Sequence, residues 1–132
     1  MRRLALAALA VALGGQSAHA SSTPTLRFGR SGGNIAPFTV TISPTGRVTT
    51  QGPVKLARPS RTLTPDAVHG LVVLAKTEGF SRMPAATACR GTLPDFAGSF
   101  VEVGSKRVTV RGSCNRRFSQ LYAVFAAAAG VR

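Results

Sequence analysis

Few side chains in this sequence are of types that do chemistry, and their spacing limits what that chemistry is. His69 follows Asp66 by three residues in a stretch read below as a helix, so imidazole and carboxylate share one face. An acyl-transfer centre needs an activated nucleophile as well, and no Gly-x-Ser-x-Gly or comparable element supplies one. The pair reads as a half-exposed helix histidine beside an acid. Only four acids occur, Asp66, Glu78, Asp95 and Glu102. Glycoside-type chemistry needs two of them converging on a cleft. Asp66, however, suits the positive end of a helix, Glu78 lies at a helix end and Glu102 has a partner in Arg107. Asp95, in Leu93-Pro94-Asp95-Phe96, is left to bond loop backbone or to pair with Arg90. A metal site fails on ligand count. The glycines of Gly29–Asn34 lack the strand–helix context and the Lys-Ser/Thr of a phosphate-binding loop. These residues point to a protein that is not an enzyme, with no cofactor and no metal.

The two cysteines, Cys89 and Cys114, bracket the most informative stretch. Between them, Ser99–Val103 and Lys106–Arg111 flank Gly104-Ser105, the signature of a two-residue hairpin loop. That loop sets the register: Val103 opposite Lys106, Glu102 opposite Arg107, Val101 opposite Val108, Ser99 opposite Val110. Alternation then places Val101, Val103, Val108 and Val110 on a core face. Glu102, Arg107, Thr109 and Arg111 fall on a wet face, with Phe100 among them. A Cys89–Cys114 disulfide is expected, because the chain opens like an exported one.

That opening is Met1-Arg2-Arg3, an apolar run from Leu4 to Leu13, and Ala18-His19-Ala20. It reads as a cleaved signal peptide over residues 1–20, with cleavage after Ala20 and ordinary secretion favoured over the twin-arginine route. The apolar run is too short to stay as an anchor. Residues 21–25 read as a flexible stub and residues 26–132 as a single domain. The full chain carries 17 Lys and Arg against 4 Asp and Glu, net +13. Without Arg2 and Arg3, 15 basic residues remain and the charge is +11. Such a balance calls for an anionic partner: an envelope polymer, a membrane surface or an acidic protein. Nucleic acid is less favoured, since only Phe100 is available for stacking and no RNA-binding or helix-turn-helix signature occurs.

The remaining elements must position these groups. Leu26-Arg27-Phe28 reads as a short strand, and Gly29–Asn34 as a flexible turn. In Pro37–Ser43, Phe38, Val40 and Ile42 alternate with Thr39, Thr41 and Ser43, a clear strand. Pro44-Thr45-Gly46 turns it back through Arg47–Gln51. Gly52–Thr62 is a basic, proline-containing connection. Leu63–Phe80 reads as a helix with Thr64 as N-cap, Pro65 at N1 and Gly79 as terminator; Val68, Leu71, Val72 and Ala75 form its apolar stripe. Ser81–Pro94 reads as irregular. A second helix spans Arg116–Ala129, capped by Asn115, with Phe118, Leu121, Tyr122 and Phe125 inward and Gly130 closing it. The resulting fold is α+β: a two-layer sandwich of a mostly antiparallel sheet with two helices on one face, in ββ-α-ββ-α order.

Two binding readings follow. The first is a module that holds an anionic partner through the sheet's arginine- and threonine-bearing face and the Lys55–Arg61 segment, using Arg47, Lys55, Arg58, Arg61, Arg107 and Arg111. The second is a secreted inhibitor offering Arg82, Met83 or Arg90 of the Ser81–Pro94 loop to a protease, rigidified by the disulfide. The set Cys89-Arg-Gly-Thr-Leu-Pro-Asp95, Phe100–Val103, Val108–Cys114 and Phe118-Ser-Gln-Leu-Tyr122 resembles small exported bacterial proteins with one disulfide and no assigned activity. That resemblance covers most of the chain beyond the leader and implies an exported single domain. Size and secretion are also similar to those of bacterial secreted protease inhibitors, whose reactive-loop motif and second disulfide are not matched.

Overall fold

Two groups of strands from different parts of the chain join side by side into one sheet. The computed structural model describes residues 22–132; the expected signal peptide, its cleavage point and Ser21 lie outside the described residues. In chain order the elements are β1 (Leu26–Ser31), β2 (Phe38–Ile42), β3 (Val48–Gln51) and α1 (Pro65–Thr77). A 3-10 turn (Phe80–Arg82), β4 (Ala86–Ala88), β5 (Gly98–Val103), β6 (Lys106–Arg111) and α2 (Arg116–Ala129) complete the chain. The strand order across the sheet is β3-β2-β1-β5-β6-β4. Every pairing is antiparallel except β4 with β6.

The β5–β6 register is the one expected, from Ser99 opposite Val110 to Val103 opposite Lys106. Gly104 takes φ of 60°, and Ser105 needs no positive φ, so the loop is of the II′ kind that matches strand twist. Val101, Val108 and Val110 are buried, whereas Val103 at the hairpin's end is half-buried. Both helices lie over this face. Val68, Leu71 and Ala75 of α1 and Phe118, Leu121 and Phe125 of α2 pack with Leu26, Phe28, Val40 and Ile42 in one core. The Phe28 ring sits edge-on to Tyr122 at 5.6 Å and to Phe125 at 6.2 Å.

The helix ends follow the residues that predicted them. Thr64 Oγ1 accepts from the Ala67 N–H, with Pro65 in the first turn. Asn115 Oδ1 accepts from the Phe118 N–H at 3.0 Å. At the far end of α2, the Gly130 and Val131 N–H groups donate to the Ala127 and Ala126 carbonyls, a Schellman closure.

Two expectations are corrected. β1 runs on to Ser31 through what reads as a turn, because its glycine is needed where it stands. Gly29 lies opposite both Thr39 and Phe100. A Cβ there would run into the Phe38 carbonyl oxygen and come within 3.0 Å of the Phe100 ring. The glycine makes room for the ring that covers it. The Ser81–Pro94 segment is not irregular throughout, since it contains the 3-10 turn and β4. Ala-Thr-Ala has no apolar alternation to announce a strand; β6 supplies the ladder. The Gly52–Thr62 connection is held in place. The Ala57 N–H donates to the Gly130 carbonyl and the Arg132 N–H to the Lys55 carbonyl, so the chain's last residues hold it. The Thr25 carbonyl accepts from the Gly104 N–H at 3.0 Å.

The Cys89–Cys114 disulfide joins the end of β4 to the entry of α2 across 25 positions of sequence. Closing a loop of that length restricts the unfolded chain by about 3.5 kcal/mol. Urea melts with and without reductant should differ by about 3 kcal/mol in unfolding free energy; unchanged stability on reduction would mean the loop is already closed in the unfolded chain. Gly29→Ala should destabilise by about 2 kcal/mol or more, read by the same melts, because the strand must move to admit one methyl.

Candidate binding face

The helices cover one side of the sheet, and among the described residues no element covers the other. Alternation decides what that open side shows. Leu26 and Phe28 point to the core, so Arg27 points out; Val40 and Ile42 point in, so Thr39 and Thr41 point out. Thr49 and Gln51 continue the row on β3, and Glu102, Arg107, Thr109 and Arg111 continue it on β5 and β6.

Glu102 forms the centre of the charge pattern. Arg27 Nη1 approaches one of its carboxylate oxygens at 3.8 Å and Arg107 Nη1 the other at 3.8 Å, from the strands on either side. One acid thus spaces two guanidiniums across three strands and leaves the trio with a net positive charge. Arg107 also lies over Phe100, its Cζ 3.8 Å from the ring centroid. Phe100 is therefore not the stacking platform expected: it is only 2% exposed, held between Gly29 below and Arg107 above. Its ring supports Arg107, and what reaches solvent is the guanidinium.

Beside this trio a groove of about 440 Å³ runs between Arg107 and the threonines Thr39, Thr41 and Thr49, with Gln51 at its far wall. A second, of about 700 Å³, lies along β3 toward Arg47, Pro59 and Thr62, and the two share Thr49 and Thr50. Threonine hydroxyls and Gln51 line the first groove beside Arg27 and Arg107, whereas the second also carries Val48, Val54, Leu56 and Pro59.

The structure does not bring all the expected arginines together. Arg107 and Arg111 share a strand and a face. Arg47 lies toward the opposite edge, some four strand spacings or roughly 19 Å across. Lys55 and Arg58 are exposed on the connection that the C-terminal residues hold. Arg61 is occupied elsewhere: its Nε donates to the Ala128 carbonyl at 3.0 Å, capping the negative end of α2. Arg27 was missed by sequence reasoning, although the alternation Leu26-Arg27-Phe28 contains the signal. Its value depends on β5 lying next to β1, which the alternation does not show.

Arg82, Met83 and Arg90 are also spread apart. Met83 is buried, and its carbonyl accepts from Lys106 Nζ at 2.8 Å. Arg82 is exposed in the 3-10 turn. Arg90 is exposed in a tight turn closed by the Thr92 N–H on the Cys89 carbonyl. His69 is exposed on α1, with no hydrogen bond or ion pair joining it to Asp66 among the described residues. The partner of Asp95 is Asn34, whose Nδ2 donates to its carboxylate at 2.9 Å.

Comparison of the chain with protein-family models, with curated proteins and with solved structures finds no match. The site is read from its own chemistry.

Tyr122, the only tyrosine in a chain without tryptophan, offers a clean probe of the core beneath this face. Burial pushes its phenol above the ordinary value of about 10, and the Arg30 guanidinium partly opposes the shift. The neutral phenol is the form the fold favours. Its contribution to stability is therefore present below the unfolded value and lost as pH rises through the higher folded value. An absorbance titration of the folded protein should show ionisation above that of the unfolded chain, and Arg30→Gln should raise it further. Ionisation at the unfolded value would mean the ring is open to water.

Proposed function

We propose that this chain is an exported, non-enzymatic module that binds an extended anionic polymer along the open face of its sheet. One observation carries the reading: a whole sheet face, left free by both helices, presents Arg27, Arg107 and Arg111 against the single acid Glu102, beside grooves lined by threonine hydroxyls. An anionic chain of carboxylates or phosphates meets charge at the arginines and hydrogen-bond partners at the threonines. Arg107 rests on Phe100, and Glu102 lies between Arg107 and Arg27, so the two guanidiniums stand apart across three strands.

The leader-like first twenty residues and the disulfide support export, where envelope polymers are the abundant anions. Among the described residues no helix is long and apolar enough to cross a membrane.

The test is binding of the oxidised protein to polyphosphate, to a polyuronate and to duplex DNA across a salt series. Tight binding to one polymer that survives physiological salt supports the reading; weak binding to all three that disappears together overturns it. Arg27→Gln with Arg107→Gln should weaken binding about tenfold and flatten its salt dependence. Lys55→Gln with Arg58→Gln should matter less. Equal losses from both pairs would mean that overall charge, and not the face, does the binding.

A further inference from the structure

At the end of the sheet where β1, β4 and β6 finish, two loops meet: residues 32–37 between β1 and β2, and residues 89–97 between β4 and β5. They are fastened together. The Asn34 N–H donates to the Asp95 carbonyl at 3.2 Å and Asn34 Nδ2 to its carboxylate at 2.9 Å. The second loop is fixed again by the disulfide at Cys89 and by the Phe96 N–H on the Leu93 carbonyl at 3.1 Å.

On this rigid platform stand Leu93, Phe96 and Ile35, exposed by 59%, 53% and 39%. The other large apolar side chains this exposed among the described residues, Val73 and Val124, sit on the two helices, away from these loops. Burial of Leu93 and Phe96 contributes little to the fold, so the fold does not account for them. Three apolar side chains gathered on loop tips form a contact surface. A shallow apolar hollow of about 250 Å³ lies among them.

The surroundings say what that surface meets. Arg30 lines the hollow itself. Arg90 lines the neighbouring groove with Leu93 and Phe96. Arg111 reaches toward Gly32 in the first loop. Asp95, which also lines the hollow and accepts from Asn34, is the one acid present and is outnumbered by these arginines. Apolar tips within a collar of guanidiniums match the chemistry of an anionic bilayer surface. There the apolar side chains enter the acyl boundary and the arginines stay with the phosphates.

We infer that the loop end bearing Ile35, Leu93 and Phe96 docks on anionic membrane surfaces, with Arg30 and Arg90 holding the phosphate groups. This goes beyond the polymer-binding face, because it uses neither Arg27 nor Arg107. The two fail separately.

The experiment is sedimentation of the oxidised protein, with the same N-terminus in every variant, on vesicles of phosphatidylglycerol and phosphatidylcholine in equal parts and of phosphatidylcholine alone. Binding to the anionic vesicles is expected, with little to the neutral ones. Leu93→Ser with Phe96→Ser should weaken it at least about tenfold, and Arg30→Gln with Arg90→Gln should weaken it and reduce its salt dependence. Arg27→Gln with Arg107→Gln should weaken it far less than the Arg30 and Arg90 pair does. Because the chain has no tryptophan, Phe96→Trp reports insertion directly, as a blue shift of emission on anionic vesicles. Absence of vesicle binding overturns the inference, as would happen with a purely protein partner. So does full binding by the serine variant, an indole emission from the Phe96→Trp variant that stays solvent-like, or loss of binding only in the Arg27 and Arg107 variant.

Discussion

The pairing of β1 with β5 is the contact on which the rest of the molecule depends. It joins residues 26–31 to residues 98–103 and turns two separate strand groups into one six-stranded sheet. On the core side it makes Leu26 and Phe28 continuous with Val101, so that α2 finds a surface wide enough to bury its own apolar stripe. On the open side it sets Gly29 against Phe100, where the missing side chain of one residue is filled by the ring of the other. Within this six-position pairing, the Gly29–Phe100 pair supports the arginine above it.

The arginine excess is partly absorbed by this architecture. Arg61 serves the end of α2, Arg107 covers Phe100, and Arg27 with Arg107 brackets Glu102. Each of these contacts keeps the charge at the surface while giving the side chain a structural neighbour. Arg107 is therefore more than a charge: its removal uncovers a ring as well. The remaining arginines do not form one patch. Their separation into a sheet-face group and a loop-end group is set by position along the strands: Arg27 and Arg30 stand on the same strand, β1, and Arg90 follows the end of β4.

Rigidity is concentrated at the ends of the sheet. The disulfide ties β4 to α2, Asn34 ties the β1–β2 loop to Asp95, and the last three residues hold the connection that leads into α1. The loop-end surface lies on these fastened segments. Loops that are already ordered lose little entropy on binding, and this links the fold's constraints to the contacts it offers.

Whatever depends on neighbours in the chain was legible in the residues themselves. Gly104-Ser105 set the hairpin register residue by residue, Thr64 and Asn115 began the helices, and the period-two valines chose the core face. The cysteine pairing needed no more than a count. Tertiary structure alone decided which strands lie side by side, and four results followed: Gly29 became strand and not turn, Ala-Thr-Ala gained a ladder, Phe100 sank beneath Arg107, and Arg27 joined Glu102. The physical reason is the range of the forces involved. Caps, turns and alternation are satisfied within a few residues and leave a local signature. A pairing between strands as far apart in the chain as β1 and β5 is selected by the whole core it completes, and no single stretch of sequence records it.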